Sequence, residues 1–275
     1  MKRGAVIFTG LFLLCGVHAL RADLQLRFSL DPDTALLYES ASVFMRIRND
    51  SLYPLEIGPD GPARLRLSVT MVDGRQVRRI NQRPFFSPRR LMPDEQTDIM
   101  FDITRFFDFS HEGRYRVEME LLWNERSYAA PARIVEVVRG MELTSIQRSV
   151  PGYSNVDRVF TLRYWRRDGG EKLFLVVEEP RGSTIQGVFE LGALMRVSTP
   201  RINADRHGNV VVVHQSAPNR YTRTVLKSTG EGVSLVDQLY FPTNQEALRG
   251  SLDILEIDEP LPEAAPPPAK RSGRR

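Results

Sequence analysis

Three histidines lie beyond the amino-terminal stretch: His111, His207 and His214. They are the scarcest residues here that could move a proton at neutral pH. The sharpest catalytic grouping is Asp205, His207 and His214, a carboxylate with two imidazoles around one turn. Such a trio could ligate a divalent metal or share general acid–base work. Each member also has a plainer reading. His207 sits in Asp205-Arg206-His207-Gly208-Asn209, a turn sequence in which polar residues tolerate positive φ. His214 is in phase with Val210 and Val212 and reads as a histidine of the core or its rim. Glu178 and Glu179 are adjacent, so a strand would point them to opposite faces, and they cannot flank one scissile bond. The nucleophile-elbow, zincin, P-loop and dinucleotide-binding signatures do not occur. The reading assigns no catalytic residue, no metal ligand and no cofactor. A metal-dependent or other hydrolase built on Asp205, His207 and His214 stays open as an alternative.

The most unusual local feature is electrostatic. Between positions 64 and 90 stand Arg64, Arg66, Arg75, Arg78, Arg79, Arg83, Arg89 and Arg90 against a single acid, Asp73. The next stretch, from Met92 to Glu125, carries a net charge of −6. Opposite charges on neighbouring strands can pair across a sheet for a few tenths to about 1 kcal/mol each. The functional alternative makes these eight arginines a binding patch for an acidic envelope protein or an anionic envelope polymer. Guanidinium forks suit carboxylate and phosphate, and Phe85 and Phe86 beside them would add apolar contact.

The compartment is written at the amino terminus. Lys2 and Arg3 precede a thirteen-residue apolar run, Ala5 to Val17, and Val17-His18-Ala19 offers a small-residue cleavage site, with Ala22 a second one. This is the pattern of a secretory signal over residues 1–22, and it is short of the roughly 20 residues that span a bilayer. The expected product is exported, periplasmic or extracellular, with no stable membrane span. Cleavage would remove Cys15, the only cysteine, leaving a chain that needs no disulfide in an oxidising compartment. Of the formal charge of +4, the leader holds +3 and the last seventeen residues +2, so the body is near −1. A near-neutral body does not attract nucleic acid.

The elements that must position these residues are strands. Leu24, Leu26, Phe28 and Leu30 alternate with Gln25, Arg27 and Ser29, the period of a half-buried strand. Val43, Met45 and Ile47 repeat the pattern, as do Leu65, Leu67 and Val69. So do Ile99, Phe101 and Ile103, and then Tyr115, Val117, Met119 and Leu121. Asp73-Gly74 reads as a hairpin turn into a strand over 76–80. Eight or nine short strands in roughly 115 residues argue for a β-sandwich. The order SVFMRIRNDSLYPLEI, VDGRQV and LMPDEQTDIMFDITRFFDFSHEGRYRVEMEL resembles bacterial extracytoplasmic immunoglobulin-like domains over residues 23–140. The resemblance places Gly113-Arg114-Tyr115 at a tyrosine corner, whose phenol ties back to upstream backbone. It implies a fold, and no activity.

Residues 141–258 read as a second antiparallel β-rich domain, with Val150 to Asn155 as a linker. Asp168-Gly169-Gly170 marks one hairpin and Thr229-Gly230-Glu231-Gly232 another. The run from Ala204 to Phe241 resembles a β-propeller blade. A blade takes about 40 residues, so two would be far from a closed ring, and a meander or second sandwich is expected. Residues 259–275, proline-rich and then basic, are expected to be disordered. The fold class is therefore all-β, an immunoglobulin-like β-sandwich followed by an antiparallel meander or sandwich. The favoured function is a non-catalytic envelope protein that binds protein or polymer through its β surfaces. A secreted protease inhibitor, with the long segment 81–90 as its reactive loop, is a further alternative.

Overall fold

A computed structural model describes residues 23–180 and 184–242. The expected secretory signal over residues 1–22, the end of the expected second domain over 243–258 and the expected disordered tail over 259–275 lie outside them. The first half folds as strands β1 (Leu24–Asp31), β2 (Thr34–Leu36), β3 (Ser42–Asn49), β4 (Leu55–Ile57), β5 (Arg64–Met71), β6 (Arg89–Leu91), β7 (Gln96–Asp102), β8 (Gly113–Trp123), β9 (Arg126–Ala129) and β10 (Arg133–Val138). One sheet has the order β1-β3-β7 and the other β2-β10-β8-β5, with β9 added to β8 and a small β4-β6 pair beside them. Alternation explains the packing. Leu24, Leu26 and Phe28 of β1, Val43, Met45 and Ile47 of β3, and Val117, Met119 and Leu121 of β8 all point into one core. This is the immunoglobulin-like sandwich.

Two polar anchors fix its loops. The Tyr115 hydroxyl donates to the His111 carbonyl at 2.7 Å, the upstream bond a tyrosine corner requires. Asn49, fully buried at the end of β3, donates from Nδ2 to the Tyr53 and Leu91 carbonyls at 2.8 and 3.2 Å. Its Oδ1 accepts from the Ser51 backbone and hydroxyl.

One expected strand does not form. After the Asp73-Gly74 turn, residues 76–80 make only isolated bridges, Thr70 with Gln76 and Arg79 with Phe107. The chain leaves β5 because Phe85 packs among Phe101, Phe106 and Phe107, with ring centroids 5.2, 4.8 and 6.4 Å away. Burying that ring outweighs continuing a two-stranded ribbon.

The second half contains β11 (Met141–Val150), β12 (Tyr153–Arg167), β13 (Gly170–Glu178), β14 (Ile185–Ala193), β15 (Arg201–Ala204), β16 (Asn209–Ala217), β17 (Arg220–Thr229) and β18 (Gly232–Pro242). They form two four-stranded meanders, β11-β12-β13-β14 and β15-β16-β17-β18. Phe160, Leu162, Leu173, Leu175 and Val177 of the first meet Val210, Val212 and Leu226 of the second in a shared core. The second sandwich is thus an antiparallel pair of meanders. The stretch expected to be a linker is instead a hairpin: Pro151-Gly152 joins β11 to β12, with Gly152 at φ 79°.

The two sandwiches share β13. Leu173, Leu175 and Val177 face the second core, while Phe174 and Val176 pack on Leu36 and Val138 of the first half. Burial on both faces is why Leu173 to Val177 reads as a continuous apolar run without alternation. The chain crosses at Gly140 (φ 72°), where a Cβ would lie 3.3 Å from the Tyr164 carbonyl oxygen. Arg167 closes this junction. Its guanidinium stacks 4.9 Å from the Phe174 ring centroid. It forks onto the Glu39 carboxylate, with one bond at 2.9 Å, and reaches Glu190 at 3.1 Å. The Arg167 and Glu39 side chains are only 6% and 13% exposed, so removing one partner strands a buried charge. Arg167→Ala should destabilise the protein by about 3 kcal/mol. Chemical denaturation checks this, and an unchanged midpoint would show that the network adds nothing net.

Candidate functional site

The structure separates the histidine trio. Asp205 caps its own turn. Its Oδ1 accepts from the His207 and Asn209 amides at 2.8 Å each, and Oδ2 accepts from Asn209 Nδ2 at 2.7 Å. Burial pulls the Asp205 carboxyl up, but the bonds from Asn209 and His207 outweigh it and hold the group below the usual carboxylate range. His207 is exposed on the turn. His214 lies five residues along β16 from Asn209, about 16 Å at strand rise, and is 1% exposed between the sheets. The turn and His214 therefore cannot hold one metal or one substrate. Among the described residues no three His, Cys, Asp or Glu side chains are grouped to bind a metal.

His214 has a structural place. Its Nε2 lies 3.1 Å from the Ala193 carbonyl oxygen. A carbonyl can only accept, so Nε2 carries the proton. Nδ1 is buried without a hydrogen-bond partner. Burial pushes the imidazole down to about 4, against a smaller upward pull from the Ala193 bond. The unfolded chain, near 6.5, therefore binds a proton first as pH falls. Stability is unaffected above that value and declines between about pH 6.5 and 4. His214→Gln should shrink the loss of unfolding free energy across this window by about 3 kcal/mol. Urea midpoints at the two ends of the window measure it, and an unchanged slope would refute a buried neutral His214.

Five of the eight arginines of the expected binding patch have partners close at hand. Arg66 of β5 reaches Glu120 of β8 at 3.2 Å, Arg78 reaches Asp108 at 3.3 Å, and Arg75 folds back on Asp73 at 2.8 Å. Arg90 of β6 lies 3.8 Å from Glu56 of β4. Arg79 stacks 4.8 Å from the Phe85 ring centroid and donates to the Asn81 and Arg83 carbonyls. Among the described residues Arg64, Arg83 and Arg89 have no carboxylate partner. Phe85 and Phe86 pack on the core, with the Arg79 guanidinium over the Phe85 ring. The segment 81–90, the candidate inhibitory loop, is held by Phe85 on the core and by Arg79 donating to the Asn81 and Arg83 carbonyls, with most of its other residues exposed. A depression of about 500 Å³ lies over β5 and β8 and includes Arg66, Arg116, Glu118 and Glu120. Its charges are matched within it, Arg66 to Glu120 and Arg116 to Glu118.

A different surface stands out, the solvent face of β1-β3-β7. Register sets its rows: Arg27, Arg46 and Asp98; then Ser29, Phe44 and Met100; then Asp31, Ser42 and Asp102. Phe44 and Met100 are 42% and 67% exposed and directly opposite one another. They floor a shallow depression of about 420 Å³. Beside them Arg46 clasps Asp98 through two bonds of 2.6 and 2.8 Å. The sequence carries a trace of this: Phe44 and Met100 are apolar at positions whose parity points outward.

No protein-family model matches this chain, and no curated protein matches it. Solved structures do. One is the CARDB domain of a Pyrococcus furiosus protein in complex with di-metal ions, 19% identical over 42% of this chain and 88% of that one, with a TM-score of 0.30. Another is Spo0M, a sporulation control protein from Bacillus subtilis, 10% identical over 86% of this chain and 96% of that one, also with a TM-score of 0.30. At that score neither bears on what this chain does.

Proposed function

We propose that this chain is an exported, non-catalytic binding module of the cell envelope, with the solvent face of β1-β3-β7 as its contact surface. Export is supported by the basic start, the apolar run from Ala5 to Val17 and the Val17-His18-Ala19 site. The observation that carries the binding role is the exposed Phe44–Met100 pair on a regular sheet, bordered by Arg27, Arg46 and Asp98. Apolar side chains in the middle with charged groups at the margin is the anatomy of a protein contact. The strands beneath are paired along their full length, and a backbone already ordered in this way loses little entropy on binding.

A second reading, contact with an anionic envelope polymer, is favoured by Arg64, Arg83 and Arg89, which lack carboxylate partners among the described residues. The two readings differ in salt dependence, since exposed charge contacts are screened within about 10 Å at moderate ionic strength.

Affinity capture from envelope extract tests the main reading. The native chain should retain a defined partner at moderate salt, and a Phe44→Glu/Met100→Glu variant should lose at least about tenfold of it, the equivalent of one buried anchor. Retention unchanged by the double variant but abolished by Arg64→Glu/Arg83→Glu/Arg89→Glu would move the function to the polymer reading.

A further inference from the structure

On the β1-β3-β7 face, the exposed charges of β1 are arranged symmetrically about the row that holds Phe44 and Met100. Along β1, exposed Arg27 lies on one side of Ser29 and exposed Asp31 on the other, two residues away in each direction. Neither has an oppositely charged partner among the described residues. The row between them holds Phe44 and Met100. A two-fold axis parallel to the sheet, perpendicular to the strands and above that row would lay each strand over its own reversed copy. Phe44 then faces Phe44 and Met100 faces Met100, while Arg27 of each copy faces Asp31 of the other, twice. On β3, Arg46 comes opposite Ser42. On β7, Asp98 comes opposite Asp102, but Arg46 already holds Asp98, and Asp102 accepts from Thr104 at 2.6 Å with Arg105 at 3.5 Å.

We infer that the partner of this face is a second copy of the chain, in a two-fold, sheet-on-sheet dimer; this rests on the reading of the face as a contact surface. On β1 the charge changes sign across the row that holds Phe44 and Met100, so that strand is self-complementary, which an isologous interface demands of one patch and a heterologous partner does not. Stacked sheets pack at about 10 Å with strands within about 30° of alignment. That spacing lets Phe and Met side chains interdigitate and lets Arg27 reach a facing carboxylate. Three short strands cover less than the roughly 800 Å² per partner of a standard interface, so the dimer is a weak one, populated at high local concentration.

Charge reversal tests it by sedimentation velocity of the native chain over a range of concentrations. The chain should shift from monomer to dimer as concentration rises. Arg27→Asp alone and Asp31→Arg alone should each abolish the shift, since each places like charges opposite one another. The double variant Arg27→Asp/Asp31→Arg should restore it, because the swapped pair is again complementary under the same axis. Both residues are exposed, and far-ultraviolet circular dichroism checks that each variant is folded. A dimer insensitive to the single reversals, or no recovery in the double variant, would overturn this interface. A native chain that stays monomeric would overturn the dimer, while a partner lost in the Phe44→Glu/Met100→Glu capture would still support the binding role of the face.

Discussion

From Leu173 to Val177 strand β13 has no solvent side, and the architecture follows from that. Leu173, Leu175 and Val177 fill the core between the two meanders, while Phe174 and Val176 meet Leu36 and Val138 of the first sandwich. Each large apolar side chain so buried contributes about 1.5–3 kcal/mol. Separating the sandwiches would return Phe174 and Val176 to water and leave Arg167 without Glu39. The junction combines an apolar floor with a forked ion pair at its margin. The floor supplies attraction, and the fork fixes orientation, because two parallel bonds form only when the guanidinium and carboxylate are close to coplanar.

The charge blocks have a similar local logic. A +7 segment followed by a −6 segment looks like a field that could steer a partner. Folding places β5 against β8 and sends the 76–80 segment toward 106–108, so Arg66 meets Glu120 and Arg78 meets Asp108. Exposed pairs of this kind contribute at most about 1 kcal/mol each. Their main effect is to cancel the field at short range, leaving separate groups such as Arg64, Arg83 and Arg27 that have no carboxylate partner among the described residues. What remains visible to a partner is an apolar strip with sparse charges around it.

His214 and Asp205 show two different uses of a polar residue. Asp205 binds three donors of its own turn and so shapes a hairpin. His214 occupies a position between Val212 and Ser216 on the inward face of β16 and stays neutral because charging it would require desolvating a cation. Neither needs a substrate to account for its environment.

Period-two alternation and the spacing of turns determined, from sequence alone, that the first half is a sandwich and which positions face inward; the place of Tyr115 at a tyrosine corner came from the resemblance to immunoglobulin-like domains. Those features are local: a strand's side chains alternate whatever it pairs with. Strand β11 escaped notice because as a largely exposed edge strand it buries little on either face, and Pro151-Gly152 looked like a linker where it is a tight hairpin. Phe44 and Met100 were legible as misplaced apolar residues, yet only register put them side by side, with Arg27 and Asp31 in the rows above and below. Tertiary structure alone decided that Phe85 turns into the core, that residues 76–80 leave their hairpin and that Asp205 and His214 lie apart. Each of these depends on contacts between residues distant in the chain, and such contacts leave no period in the sequence.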